Sequence, residues 1–174
     1  MAGALARPTE GRLHARKLTD YELGLYASVD RLESHGPIER IADLADAPLI
    51  TYIDELLLAQ ELDFGAVVAD MRPVMKSSNI IAQLVSCCQG IGFCILPCFF
   101  ADYYLPIRRV LPEEIKLIRT FWLVTHSDLR DLARVRVTSE FIVSAIQENR
   151  RVFLPSEHGG PLRPFPRNPV TQLV

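Results

Sequence analysis

The chain lacks any apolar run long enough to cross a bilayer: the longest, Gly90 to Ala101, holds 12 residues and contains Pro97, against the roughly 20 that a spanning helix needs. A secretory leader is missing too. The opening MAGALARPTEGRLHARK has no charged start followed by an apolar core, so the expected compartment is the cytoplasm. Neither sign of charge dominates: 19 Lys and Arg against 21 Asp and Glu give a net charge of -2. That balance offers no global attraction to nucleic acid or to an anionic membrane. Gly-rich phosphate loops are also lacking. The GIG at 90–92 has no third glycine and follows a helix-like stretch, where a dinucleotide motif would follow a strand.

Metal-ligand and redox spacings are lacking as well. The four cysteines, Cys87, Cys88, Cys94 and Cys98, contain no Cys-x-x-Cys pair, and Cys94 and Cys98 straddle Pro97 with no histidine nearby in sequence. They sit among Ile, Leu, Val and Phe, which favours buried free thiols acting as small hydrophobes over a zinc or disulfide-exchange site. His14, His35 and His158 are scattered and show no metal-ligand spacing. No motif calls for a cofactor or a metal.

What is present is enough for a folded domain. Hydrophobic residues make up 49% and charged residues 23% of 174 residues, which allows a real core and excludes wholesale disorder. Residues 1–12 read as a loose lead-in. From Leu18 to Ser28, LTDYELGLYAS alternates like a strand, with Leu23, Leu25 and Ala27 on one face. A short turn or helix closing at Gly36 follows, then a second helix from Pro37 to about Ala45 with Ile38, Ile41, Ala42 and Leu44 on its apolar side, and a strand PLITY. DELLLAQEL, from Asp54, reads as helical, and MRPVMKSS as extended, with Pro73 near a sheet edge.

The most apolar stretch, SSNIIAQLVSCCQGIGFCILPCFF, is the most definite. Ser78 stands where an N-cap belongs, Ile80, Ile81, Leu84, Val85 and Cys88 recur at helical spacing, and Gly90 takes the C′ position. IGFCILP then reads as a strand buried on both faces, which argues for α/β layering. CFFADYY suggests another short helix. A strand at Arg109–Leu111, a strong strand from Thr120 to His126 and a closing helix carrying Val135, Phe141, Ile142, Ala145 and Ile146 complete the pattern. The last twenty residues, from Pro155, are rich in proline and read as a disordered tail.

In this order the pieces resemble the effector-binding domain of LysR-type transcriptional regulators. The residues that carry the resemblance are LGLYAS running into DRLESHGPIERIADLADAPLITY, SSNIIAQLVSCCQGIGFCILP, RRVLPE, and FWLVTHSDLRDLARVRVTSEFI, over roughly residues 12–150. The resemblance implies an α/β, two-lobed fold of the second periplasmic-binding-protein type. YELGLYAS and RTFWLVTH would be the strands crossing between lobes. The second lobe would span about 28–118 and be largely complete. The first lobe would be partial, holding the crossing strands and the helix 134–150, within a domain of residues 13–154.

Relatives carry a winged helix-turn-helix and further first-lobe elements ahead of the first crossing strand. The expectation is therefore of a truncated chain that does not itself bind DNA and whose closing helix exposes Phe141, Ile142, Ala145 and Ile146.

The resemblance also implies an effector cleft. Ser78 and Asn79 stand at a helix N-terminus, where free N–H groups and the macrodipole attract a carboxylate or other anion; the plainer reading is that Ser78 only caps its helix. Ser28, ending the first crossing strand, is a cleft candidate or an ordinary turn initiator. Thr51 and Tyr52 end PLITY and are cleft-wall candidates, the plainer reading being an exposed tyrosine at a strand end, and Thr125 lies on the return strand, where Trp122 is expected to pack at the hinge. His126 and Asp128, in THSD, fit a family-typical turn better than acid–base chemistry.

The reading is then an effector-sensing module that performs no reaction. Its partners would be a small-molecule effector and a second copy or a full-length paralogue, with DNA reached only through a DNA-binding domain outside the chain. Two rivals remain: a transport-type solute-binding protein with the same two-lobed fold, opposed by the missing leader, and a thiol enzyme built on Cys87 or Cys98.

Overall fold

A computed structural model describes residues 1–8, 12–53, 64–104, 106–129 and 132–158. The helix expected in DELLLAQEL lies outside the described residues. The backbone of the fold is β2 (Leu13–Ser28), 16 residues long, five residues longer at its start than its alternation predicts. Its first part is exposed and charged, HARK, and pairs antiparallel with β7 (Leu117–His126) from Leu13 opposite His126 to Leu23 opposite Leu117, with a bulge between Lys17 and Thr19. Cross-strand pairing, which local alternation cannot register, extends the strand.

The last part of β2 changes partners. Leu23–Tyr26 pair with β5 (Phe93–Pro97), and Leu25–Ser28 pair with β6 (Ile107–Val110), both antiparallel. β5 is buried throughout, as its unbroken apolar run implies. It pairs in parallel with β3 (Pro48–Thr51), which pairs in parallel with β4 (Arg72–Lys76) at the sheet edge. Pro73 sits on that edge strand, where no ladder donor is lost. The expected loose lead-in instead contributes β1 (Ala2–Ala4), antiparallel to β7. The sheet order is β1-β7-β2-β5-β3-β4, with β6 on β2.

Helices cover the parallel part. α1 (Val29–His35) ends at Gly36, φ 92°, as expected. The helix expected from Pro37 to Ala45 is only a 3-10 turn, Ile41–Leu44, at whose start the Asp43 carboxylate accepts from the Arg40 N–H at 3.1 Å and from its Nε at 3.2 Å. Asp46 at φ 59° turns the chain into β3 straight afterwards, so no longer helix fits. α2 (Gly65–Val68) precedes β4. α3 (Ile80–Cys88) packs Leu84 and Cys87 beside Tyr26, Ile50, Cys94 and Leu96 in one core. A second core, on the other face, joins Tyr21, Leu23, Leu25, Leu49, Phe93 and Ile115.

α4 (Cys98–Ala101) follows β5 directly. α5 (Ala133–Glu148) closes the chain against the β2/β7 ribbon, and α6 (Arg150–Phe153) follows it. On α5, Phe141 is 72% exposed, whereas Ile142, Ala145 and Ile146 are half-buried and Val143 is buried. Thus only one of the four positions expected to be exposed is fully so. The presumed tail also departs from expectation at its start: Pro155–His158 forms a 3-10 turn, with Pro155 buried and Ser156 bonded to Glu22. Trp122 is half-buried rather than a core residue, with the Arg7 guanidinium 5.6 Å above its ring.

Among the described residues no helix is long and apolar enough to cross a membrane.

Candidate functional site: a polar rim at the carboxyl ends of the parallel strands

Parallel strands with helical crossovers place their carboxyl ends, and the amino ends of the following elements, at one rim, which is where open α/β sheets bind ligands. Here Thr51 ends β3 and Lys76 ends β4, and the two are paired. The Ser77 N–H donates to the Thr51 carbonyl at 2.9 Å, tying the entry of α3 to the end of β3. Gln83, wholly buried on α3, donates to the Ser77 carbonyl at 2.6 Å and accepts from Cys94 Sγ at 3.6 Å. The Ser77–Asn79 corner is therefore held from both sides by the core.

The helix cap is Asn79, not Ser78. Asn79 Oδ1 accepts from the Ile81 and Ala82 N–H groups at 2.9 and 3.3 Å. Serine and asparagine are near-equal caps, so an SN pair leaves the choice to tertiary geometry. Displaced by one position, Ser78 is exposed and its hydroxyl has no partner among the described residues. The Thr51 hydroxyl is likewise unpartnered among them. Tyr52 packs toward Phe64, ring centroids 6.3 Å apart, and burial raises its hydroxyl pKa. Thr51, Tyr52, Phe64 and Gln83 surround a small hollow of about 10 Å³ just below the rim.

Ser28 and Thr125 do not join this group. Ser28 is 3% exposed, and its Oγ accepts from the Arg31 N–H at 3.1 Å as the cap of α1. It lies beside Gly90, where a Cβ would come within 3.2 Å of its Oγ. Gly90 follows the carboxyl end of α3, and the helix rises about 14 Å between the two ends, so Ser28 is a structural cap away from the rim. Thr125 pairs with His14, near the start of β2, whereas Ser28 ends that strand. At ~3.3 Å per residue they stand on the order of 40 Å apart along the strand. Thr125 lines a different hollow, between the ribbon and α5.

The cysteines provide no nucleophile at the rim. Cys87, Cys94 and Cys98 are buried, and burial pushes the thiols of Cys87 and Cys98 up to about 12. Groups with that pKa stay protonated at neutral pH, whereas the thiolate is the reactive form. His126 and Asp128 close the turn after β7: the Asp128 N–H donates to His126 Nδ1 at 3.3 Å, and Ser127–Leu129 forms one 3-10 turn.

The model of the LysR substrate binding domain matches residues 1–147. The chain belongs to the LysR substrate-binding-domain family. No curated protein matches the sequence. Among solved structures, the regulatory domain of CrgA, a LysR-type transcriptional regulator from Neisseria meningitidis, superposes with a TM-score of 0.68 at 23% identity, covering 82% of this chain and 73% of that one. A longer CrgA chain from the same organism gives a TM-score of 0.67 at 22% identity, covering 83% of this chain and 51% of that one. The CcmR regulatory domain of Synechocystis, in complex with 2-PG, gives 0.64 at 15% identity, covering 82% and 71%.

The fold is thus the two-lobed, type 2 periplasmic-binding-like fold of LysR regulatory domains; this chain spans about three quarters of the CrgA regulatory domain and about half of the longer CrgA chain. Family membership sets aside the transport-type reading. The family is one of regulatory domains of transcription factors rather than of enzymes, and its members bind effectors.

Proposed function

We propose that this LysR domain senses a small anionic effector, with Thr51, Tyr52, Ser78 and Asn79 forming the second-lobe side of the binding site. The observation that carries the reading is the placing of two unpartnered hydroxyls, Thr51 and Ser78, at the carboxyl end of a parallel strand and the amino end of a nine-residue helix. Such hydroxyls donate to a carboxylate or phosphate, and the helix dipole adds attraction for negative charge. The Nδ2 of Asn79, unpartnered among the described residues while Oδ1 is engaged in the cap, supplies a further donor. Support also comes from the CcmR regulatory domain, a structural neighbour described in complex with 2-PG.

Effector binding would stabilise one setting of the lobes about the β2/β7 ribbon, and only its preference for that setting over others can shift the population. On this reading the domain catalyses nothing and works in the cytoplasm as part of an oligomer, with itself or with a full-length paralogue. DNA is engaged through a separate DNA-binding domain rather than through these residues.

The test is a thermal-shift screen of the chain against small carboxylates and phosphate esters, followed by calorimetry on each hit. A ligand at 100 times its Kd should stabilise the fold by about 2.7 kcal/mol. Ser78→Ala and Thr51→Val should each weaken binding about ten- to a hundred-fold, as loss of a hydrogen bond to a charged group does. Hits whose affinity is untouched by both substitutions would place the effector elsewhere and defeat the proposal.

A further inference from the structure

The hollow that contains Thr125 has a construction of its own. Across the antiparallel ribbon His14 stands directly opposite Thr125, and Arg16 opposite Leu123. Residues two apart on a strand share a face, so these four line one floor. Above it, α5 presents Val135, Arg136, Ser139 and Glu140 at spacings of one, four and five, a single helical face. The space between is about 310 Å³, at the small end of ligand pockets.

Its polar groups are poorly used by the protein itself. Arg16 and Arg136 are exposed and make no ion pair among the described residues. Thr125 is 7% exposed, yet its hydroxyl has no partner among them. Ser139 donates to the Val135 carbonyl at 2.7 Å and also approaches Met1 Sδ at 3.3 Å. Glu140 brings the groove's one carboxylate against two guanidinium groups, leaving one positive charge uncompensated.

We propose that this groove between the β2/β7 ribbon and α5 binds a small monocarboxylate, as a site separate from the rim. The carboxylate lies between the Arg16 and Arg136 guanidinium groups, whose planar forks match it, and accepts from Thr125. Leu123 and Val135 take the ligand's apolar body. One uncompensated charge suits a monoanion better than a phosphate dianion, which Glu140 repels. Because the groove joins a crossing strand to the closing helix, occupancy would stiffen the contact on which α5 depends.

The experiment is a nitrogen-15 NMR shift titration of the full chain with butyrate, and separately with inorganic phosphate. Butyrate should shift the Thr125 and Ser139 amides saturably. Arg16→Gln and Arg136→Gln should each weaken the titration about ten-fold, the loss expected of a charge-assisted bond, while the same spectra verify the fold. Glu140→Gln should tighten it, and Arg72→Gln, which removes an exposed charge on the β4 edge, should change nothing. Absence of saturable shifts at these amides up to on the order of 50 mM, a range that covers even weak sites, would overturn the proposal. So would a titration indifferent to both arginine substitutions. Tighter binding of phosphate than of butyrate would overturn the carboxylate assignment.

Discussion

Glu22 and Arg109 meet at 2.5 Å in the middle of the sheet, with the Glu22 side chain 0% exposed and that of Arg109 16% exposed. The same carboxylate accepts from the Ser156 N–H at 3.2 Å and from its hydroxyl. Gly24 makes room for this arrangement: a Cβ there would lie 2.6 Å from Arg109 Nε. A buried carboxylate with its cation removed is left uncompensated, so Arg109→Met should cost about 3–5 kcal/mol in a denaturant melt. Replacing both partners, as Glu22→Leu with Arg109→Met, should recover most of that loss. If the single substitution costs under about 1 kcal/mol, the pair is not desolvated as described.

The pH dependence of that pair has a definite sign. Burial alone raises the Glu22 pKa, but the bonds from Ser156 and Arg109 together outweigh it and hold the carboxyl below its ordinary value. A depressed folded-state pKa contributes stability that is fully present above the unfolded value, near 4.5, and is lost as pH falls through the folded one. Melting temperature should therefore drop with acidification below that value, and drop less in Ser156→Ala, which relaxes the depression. Equal acid sensitivity in the two proteins would assign the effect to other carboxylates.

The cap exchange at α3 makes a sharper distinction. Asn79→Ala removes the acceptor of two first-turn N–H groups and should cost about 1 kcal/mol, whereas Ser78→Ala should stay within about 0.5 kcal/mol, both read by denaturant unfolding. A reversed order would restore Ser78 as the cap. Combined with the binding assay, this separates stability from recognition: Ser78 is expected to matter for ligand and not for fold.

The chain's local patterns went far with α3 and β5, because helical spacing, a terminal Gly90 at φ 74° and an unbroken apolar run are all short-range signals. They went less far where register decides. Ser28 ends β2 and Thr125 sits on β7, yet which residues share the rim depends on how 16 residues of β2 divide among β7, β5 and β6. Likewise Pro155 and the prolines after it suggest a tail, and nothing local reveals that Ser156 has a buried carboxylate to meet. The cationic groove needed α5 laid over the ribbon before Arg16 and Arg136, 120 positions apart in sequence, could be seen on one hollow.

The thiols give a prediction that follows from burial alone. Cys87, Cys94 and Cys98 are closed off and their pKa values raised, while Cys88 is half-buried. Alkylation of the native chain at neutral pH should modify Cys88 first, with the other three reacting only on the timescale of unfolding. Mass spectrometry of peptides after timed quenching reads the order. Fast native labelling of Cys98 would instead indicate an activated thiolate and reopen thiol chemistry.

Gly90 closes α3 and abuts Ser28, the cap of α1. Its φ of 74° is a conformation that side chains disfavour, costing about 1–2 kcal/mol for a non-glycine residue. A Cβ would also press on Ser28 Oγ at 3.2 Å, while the Gly90 carbonyl accepts from Arg31 Nε at 2.9 Å and holds α1 against α3. Gly90→Ala should therefore destabilise the domain by about 1–2 kcal/mol in a denaturant melt. Ser28→Gly in the Gly90→Ala background relieves only the steric part, because the dihedral strain stays. It should recover less than half of the loss, since glycine replaces a serine cap at a cost of only a few tenths of a kcal/mol. Full recovery would mean that the contact with Ser28, not the left-handed turn, is what requires glycine there.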